Sequence, residues 1–217
     1  LDEVNRSLGR MPVKTAGLLP LRIVPFDPAR PQRDDIVVAG ALQSAVRLCM
    51  PTIGREDSDY IKLRLLIMAL GGYFGSRLMN NVREDKGYTY GIGAYLLGYP
   101  EGGMISIATS TDNAFVEPLI TEVREEIARL GSSGFSDDEL HRLKQYAMST
   151  LASTLDSPFD IMEHYVNCQL SSIPDGYFER QVMEIMSLTA DDLTRVAREY
   201  VDVDRFTTVV AGAGQGN

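Results

Sequence analysis

The stretch from Leu70 to Gly93, LGGYFGSRLMNNVREDKGYTYGIG, predicts a short helix followed by a strand, because its apolar period changes midway. Ser76 comes after Gly71, Gly72 and Gly75, and serine commonly caps helix N-termini. Lys86 and Gly87 are a cation and a glycine, which are typical of a helix end. After Gly87 the apolar and aromatic residues recur at every second position, as in a half-buried strand.

Two side chains of this stretch can meet where the predicted helix gives way to the strand. Arg83 falls on the last helical turn, and Tyr90 lies seven residues later, close to the start of the strand. A guanidinium is always charged, and its forked donors suit a carbonyl or carboxylate group. A tyrosine hydroxyl can stabilise an oxygen atom that becomes negative during a reaction. The simpler alternative is that Arg83 only pairs with Glu84, Asp85 or a helix end, and that Tyr90 only fills the core.

The same stretch resembles the half of the insulinase/pitrilysin zinc metallopeptidases that does not hold zinc, a family that includes the mitochondrial processing peptidases. The matching residues, in order and spacing, are Leu70, Gly71, Gly72, Ser76, Arg77, Leu78, Arg83, Glu84, Gly87 and Tyr90. The resemblance implies that Arg83 and Tyr90 bind a peptide substrate across a chamber, and that Tyr90 also acts catalytically by stabilising the transition state. It further implies that the zinc cofactor of the full enzyme is held by a homologous N-terminal domain or a partner subunit.

The chain itself contains no zinc-peptidase motif. Neither His-x-x-Glu-His nor His-Glu-x-x-His occurs, although a hydrolytic zinc needs three protein ligands. The two histidines, His141 and His164, fall on predicted helices and are interpreted as structural. Cys49 and Cys168 lack metal or disulfide spacing and are interpreted as buried small hydrophobic residues, with no histidine expected beside either. We therefore expect no metal in this chain and no peptidase activity from the chain in isolation.

Charge and composition argue against several other classes of protein. A net charge of −9 disfavours a nucleic-acid surface, which needs clustered lysine and arginine. No apolar run approaches the length of a transmembrane helix, and no glycine-rich segment matches a nucleotide-binding fingerprint. Because the first residue is Leu1 and not methionine, we expect a piece of a longer protein, and the sequence predicts no cellular compartment.

Residues 1–33 are predicted to form the end of a preceding helix and then an interdomain linker, since residues 11–33 hold five of the ten prolines. Residues 34–217 are predicted to form one α+β domain, a two-layer sandwich with a mostly antiparallel sheet and helices on one face. The predicted strands cover residues 35–50, 88–97, 104–109 and 205–211. The predicted helices cover 58–70, 116–130, 159–170, 177–187 and 191–200, with a further helix opening at the capping box 136–139.

Two functions agree with these features. In the first, the chain is the non-zinc half of a zinc metalloendopeptidase and supplies Arg83 and Tyr90 to an active site whose zinc lies elsewhere. In the second, it is a catalytically inactive structural or peptide-binding subunit of a processing-peptidase-like complex. The presence of both Arg83 and Tyr90 at this spacing favours the first.

Overall fold

The computed structural model describes residues 2–7, 9–12, 32–99, 102–171 and 173–213. Most of the predicted linker, at residues 13–31, lies outside the described residues. Arg33, which the sequence assigns to that linker, is instead the first residue of a strand. The remaining residues of the predicted domain form one sheet and a layer of helices.

The sheet has five strands in the spatial order β1-β5-β2-β4-β3. They are β1 (Arg33–Val37), β2 (Gln43–Thr52), β3 (Ile92–Gly98), β4 (Gly103–Asp112) and β5 (Thr207–Gly212). The β1–β5 pair is parallel, and every other pair is antiparallel. The predicted α+β architecture with a mostly antiparallel sheet is therefore confirmed.

The helices of the described residues are α1 (Asp2–Ser7), α2 (Tyr60–Gly71), α3 (Val116–Leu130), α4 (Asp137–Ser153), α5 (Pro158–Leu170), α6 (Tyr177–Ser187) and α7 (Ala190–Tyr200). Both α3 and α6 have the bounds that the sequence predicts. A π-helix covers Met79–Asp85, and short 3-10 turns cover Asn113–Phe115 and Val203–Arg205. No helix of the described residues is long and apolar enough to cross a membrane.

The strand region predicted at 35–50 does form strands, but a turn divides it into β1 and β2. Gly40 has a φ of 75° in this turn, a conformation that favours glycine. The loop predicted from residue 51 is wrong at its start, since Pro51 pairs with Met104 as part of β2. A proline is tolerated here because β5 pairs with β2 only as far as Cys49, which leaves one side of Pro51 free of a ladder.

The core lies between one face of the sheet and the helices. Alternate residues of β2 and β4 are buried, as expected when side chains of successive strand residues point to opposite faces. Nine of the twelve residues of α2 are buried, so this helix occupies the centre of the helical layer. The opposite face of the sheet, which we call the open face, carries outward residues such as Arg47 and Tyr95 that are exposed.

The end of α2 is fixed directly against the start of β3. A Cβ atom added at Gly71 would lie 2.7 Å from the Cβ and the backbone N of Ala94, so only glycine permits this contact. Because the chain between these residues contains Arg83 and Tyr90, the close packing determines where the candidate site lies.

Candidate functional site

Arg83 lies on the π-helix and not on the α-helical turn that the sequence predicts. The backbone N–H of Lys86 donates to the carbonyl of Asn81 at 3.0 Å, which is the wider π-type spacing. Gly87 then adopts a φ of 66°, in agreement with the predicted left-handed helix end. The predicted cap at Ser76 is wrong, because its Oγ atom is buried without a hydrogen-bond partner.

Polar contacts join the π-helix to α3. The side-chain amide of Asn81 donates to Glu122 at 3.1 Å and to Glu126 at 2.7 Å. Lys86 pairs with Glu122 at 3.0 Å, and this contact, together with the Asn81 bond, holds the pKa of Glu122 below its usual value. Contacts from Asn81 and Lys86 thus fix the π-helix, which carries Arg83, against α3.

A second connection runs from Arg77 to the start of α4. The guanidinium forms an ion pair with Glu139 at 2.6 Å and donates to the carbonyl of Gly134 at 2.5 Å. It also lies over the ring of Phe135, 4.2 Å from the centroid. Glu139 belongs to the predicted capping box, and Ser136 does accept the Glu139 backbone N–H, although the carboxylate itself binds Arg77.

Arg83 is half-buried and has two neighbours that orient it. Its Nη1 donates to the Glu84 carboxylate at 2.6 Å, and its guanidinium lies over Phe74 at 4.7 Å from the ring centroid. The pairing with Glu84 is the contact that the structural alternative requires. However, the Arg83 side chain remains 33% exposed, so it has donors that a ligand can reach.

Tyr90 is 92% exposed, which excludes the alternative that it fills the core. The residues on either side of it are held by threonine hydroxyls. Thr89 Oγ1 accepts the N–H of Gly91 at 3.1 Å and donates to the carbonyl of Ser110 at 2.7 Å. Thr109 Oγ1 donates to the carbonyl of Gly91 at 2.8 Å and lies 2.9 Å from Thr89 Oγ1.

These hydroxyls explain why β3 begins later than the sequence predicts. The β3–β4 ladder starts with Ile92 opposite Thr109, and the next pair would be Gly91 with Ser110. Thr89 instead occupies the backbone groups of Gly91 and Ser110, so the chain leaves the sheet at this point. Tyr90 is therefore presented on a fixed turn outside the ladder.

A shallow cavity of about 340 Å³ lies beside Tyr90 on the open face of the sheet. Its lining includes Arg47, Thr89 and Thr109, but it does not include Arg83. Across the strands, Arg47 pairs in register with Ala108, a small residue that also lines the cavity. The next residue across the sheet is Gly93, which the Tyr95 side chain covers. The structure therefore places Tyr90 and Arg83 on one continuous segment, without a hydrogen bond between them.

Sequence reasoning missed Arg47, Phe74 and the Thr89–Thr109 pair. Arg47 could have been found from the alternation of β2, because it is a charge at an outward position of a strand whose other face is apolar. The threonine pair gives no such signal, since its partners come together only when β3 lies beside β4.

The described residues contain no group of three histidine, cysteine or acidic side chains that could hold a metal. Cys49 and Cys168 are half-buried and not fully buried as predicted. The expectation that no histidine lies beside a cysteine is also wrong, because His164 Nε2 lies 3.6 Å from Cys168 Sγ. The two residues are one turn apart on α5, so helical geometry brings them together.

Comparison with known proteins identifies the family. Residues 1–146 match the family described as the peptidase M16 inactive domain. The chain belongs to this family. The resemblance to the non-zinc half of the insulinase/pitrilysin peptidases is thereby confirmed, and the chain is an inactive C-terminal domain of the M16 type.

Relatives of this M16 inactive domain are named as zinc proteases. The chain is 27% identical over 159 residues to an uncharacterized zinc protease of Streptomyces coelicolor, and the match covers 73% of the chain and 35% of that protein. It is 31% identical over 172 residues to one from Rickettsia bellii, with 73% and 40% covered. The M16 domain thus spans well under half the length of these relatives.

The fold of the M16 domain agrees with solved structures. The crystal structure of a peptidase M16 inactive domain from Pseudomonas fluorescens superposes with a TM-score of 0.74 at 27% identity, covering 84% of this chain and 44% of that one. The sheet and helices described above are therefore those of an M16 inactive domain.

Proposed function

We propose that this M16 domain is the non-zinc half of a zinc metalloendopeptidase. In this role it would supply substrate-binding and transition-state-stabilising residues to an active site whose zinc lies in a homologous N-terminal domain or partner subunit. The observation that supports the proposal is the position of Tyr90, which is almost fully exposed yet is flanked by buried, hydrogen-bonded threonines. An exposed aromatic residue adds little to the core, and a fixed backbone places its side chain for contact with a partner molecule.

Tyr90 would act as a hydrogen-bond donor during the reaction. When a zinc-activated water attacks a peptide carbonyl, negative charge develops on the carbonyl oxygen. A hydroxyl held near that oxygen stabilises the transition state more than the bound substrate, and so raises kcat. Because the Tyr90 turn is fixed before substrate binds, little reorganisation is needed when the charge develops.

Arg83 would bind the substrate backbone or a carboxylate near the scissile bond. Its planar fork can make two parallel hydrogen bonds, which fixes the orientation of the bound group. The Phe74 ring and Glu84 limit the directions that the guanidinium can take. Peptide binding would then require the substrate to share the guanidinium with Glu84 or to displace that carboxylate.

The test is Tyr90→Phe in the full-length protein or in the chain combined with its zinc-binding half. We expect kcat for peptide cleavage to fall roughly 100- to 1,000-fold with little change in KM. Tyr99→Phe is a matched control, because Tyr99 is also exposed but follows the far end of β3. An unchanged kcat for Tyr90→Phe would instead favour the non-catalytic, structural or peptide-binding role.

A further inference from the structure

A second cavity, about 480 Å³ in volume, lies among the helices and is separate from Tyr90 and the open face. Helices α2, α4, α5 and α6 all contribute to its lining, as does the loop before α2. This volume is within the range of small-molecule sites in proteins. The polar residues around it include Arg55, Arg64, His164, Asn167 and Tyr177.

Arg64 is the unusual residue of this cavity. It is the one charge within the apolar run of α2, and it lies where that buried helix meets α6. Its Nη2 donates to the side-chain oxygen of Gln181, which is only 2% exposed. Its Nε is buried and has no hydrogen-bond partner in the part of the chain that the structure describes. The side chain as a whole is half-buried and lines the cavity, so the part of it outside the enclosed Nε can contact a ligand.

Two further arginines line this cavity or the one beside it. Arg55 lines the same cavity, and Arg180 lines an adjoining one that shares Arg55 and Tyr177. Burial raises the pKa of Tyr177, and the positive charges of Arg64, Arg180 and Arg55 oppose that rise. The Arg180 guanidinium lies over the Tyr177 ring, 5.4 Å from its centroid.

None of these three arginines forms an ion pair with a described residue. Among the described residues that line the two cavities, Glu56 is the one acidic side chain, and it is exposed. Unpaired arginines are notable in a chain whose net charge is −9, where acidic partners are abundant. Positive charge without a counter-charge in a partly enclosed space attracts anions.

We propose that the cavity at Arg64 is a binding site for a small oxyanion, that is, a ligand bearing a carboxylate or phosphate group. The Arg64 and Arg55 guanidinium groups would donate to its oxygen atoms, and Asn167 and Tyr177 would supply neutral hydrogen bonds. Arginine forks match the geometry of both carboxylate and phosphate groups. The site is independent of the proposed peptidase role, since it involves neither Arg83 nor Tyr90.

Titration calorimetry with the purified chain tests the proposal, with inorganic phosphate and succinate as probes and sodium chloride at matched ionic strength. We expect one saturable site per chain and at least tenfold weaker binding in Arg64→Gln. Arg124→Gln is the control, because it removes the same charge from an exposed ion pair with Asp204 on another surface. Tighter binding of phosphate supports a phosphorylated ligand, and equal or tighter binding of succinate supports a carboxylate ligand.

If Arg64→Gln misfolds, a second variant and a second readout still test the proposal. Arg55 lies in a loop, so Arg55→Gln should fold and still weaken binding several-fold. In a Cys49→Ser background, saturating probe should slow alkylation of Cys168, which lines the cavity, by several-fold. The proposal is overturned if neither probe binds better than chloride, or if Arg124→Gln loses as much affinity as Arg55→Gln.

Discussion

The hydroxyl of Thr89 should determine both local stability and the presentation of Tyr90, and Thr89→Val tests this with little change of shape. The substitution replaces the hydroxyl by a methyl group. It removes the acceptor of the Gly91 N–H and the donor to the Ser110 carbonyl. It also removes the 2.9 Å contact with Thr109 Oγ1.

The expected loss is about 1–2 kcal/mol of unfolding free energy, because a side-chain hydrogen bond contributes about 1 kcal/mol net. Larger values are not expected, since Gly91 and Ser110 are exposed and water can replace part of the lost bonding. For a chain of this size, that loss lowers Tm by about 2–8 °C.

Urea denaturation followed by circular dichroism measures the change. Thr89→Ser keeps the hydroxyl and should recover most of the stability. Thr121→Val is the control, because its hydroxyl only bonds the Glu117 carbonyl one turn earlier on α3, and it should remain within about 0.5 kcal/mol of the parent. In the full enzyme, Thr89→Val should also lower kcat. Parent-like stability of Thr89→Val would refute the structural role of this hydroxyl.

Three further predictions follow from other sites. Arg83→Lys should lose much of kcat/KM, because lysine lacks the planar fork of donors. Its Tm should change little, because the exposed pair with Glu84 contributes only about 0–1 kcal/mol. A lysine variant with the parent kcat/KM would contradict the role of Arg83 in substrate binding. Hydrogen bonding from Arg195 lowers the pKa of Asp59, so its stabilisation is present above an unfolded pKa near 3.9 and is lost as pH falls through the folded value. Asp59→Asn should therefore lower the free energy of unfolding clearly at pH 7 and progressively less as pH falls below about 3.9, and an effect that does not change with pH would refute this linkage. Metal analysis of the dialysed chain should find no stoichiometric zinc, since no ligand triad occurs in the described residues; one zinc per chain would contradict this.

Local sequence patterns were sufficient for most elements. The buried α2 follows from its apolar run at residues 63–70, which only Arg64 interrupts, and the amphipathic α3 follows from its stripe of apolar residues before Gly131. Thr189 caps α7 through a capping box with Asp192, an interaction between residues three apart. Such features depend on neighbours within one or two turns, so they can be read without knowledge of the fold.

The sequence by itself determined the two-layer α+β class, the absence of a zinc motif and the family resemblance carried by residues 70–90. Only the tertiary structure decided that Tyr90 is exposed, that Thr89 interrupts the β3–β4 ladder, and that Arg55 and Arg64 line one cavity without an ion pair to any described residue. The physical reason is how far apart in the sequence the interacting residues lie. Helix periods and caps are set by residues close in sequence, whereas burial and charge pairing depend on which distant segments the packed core brings together.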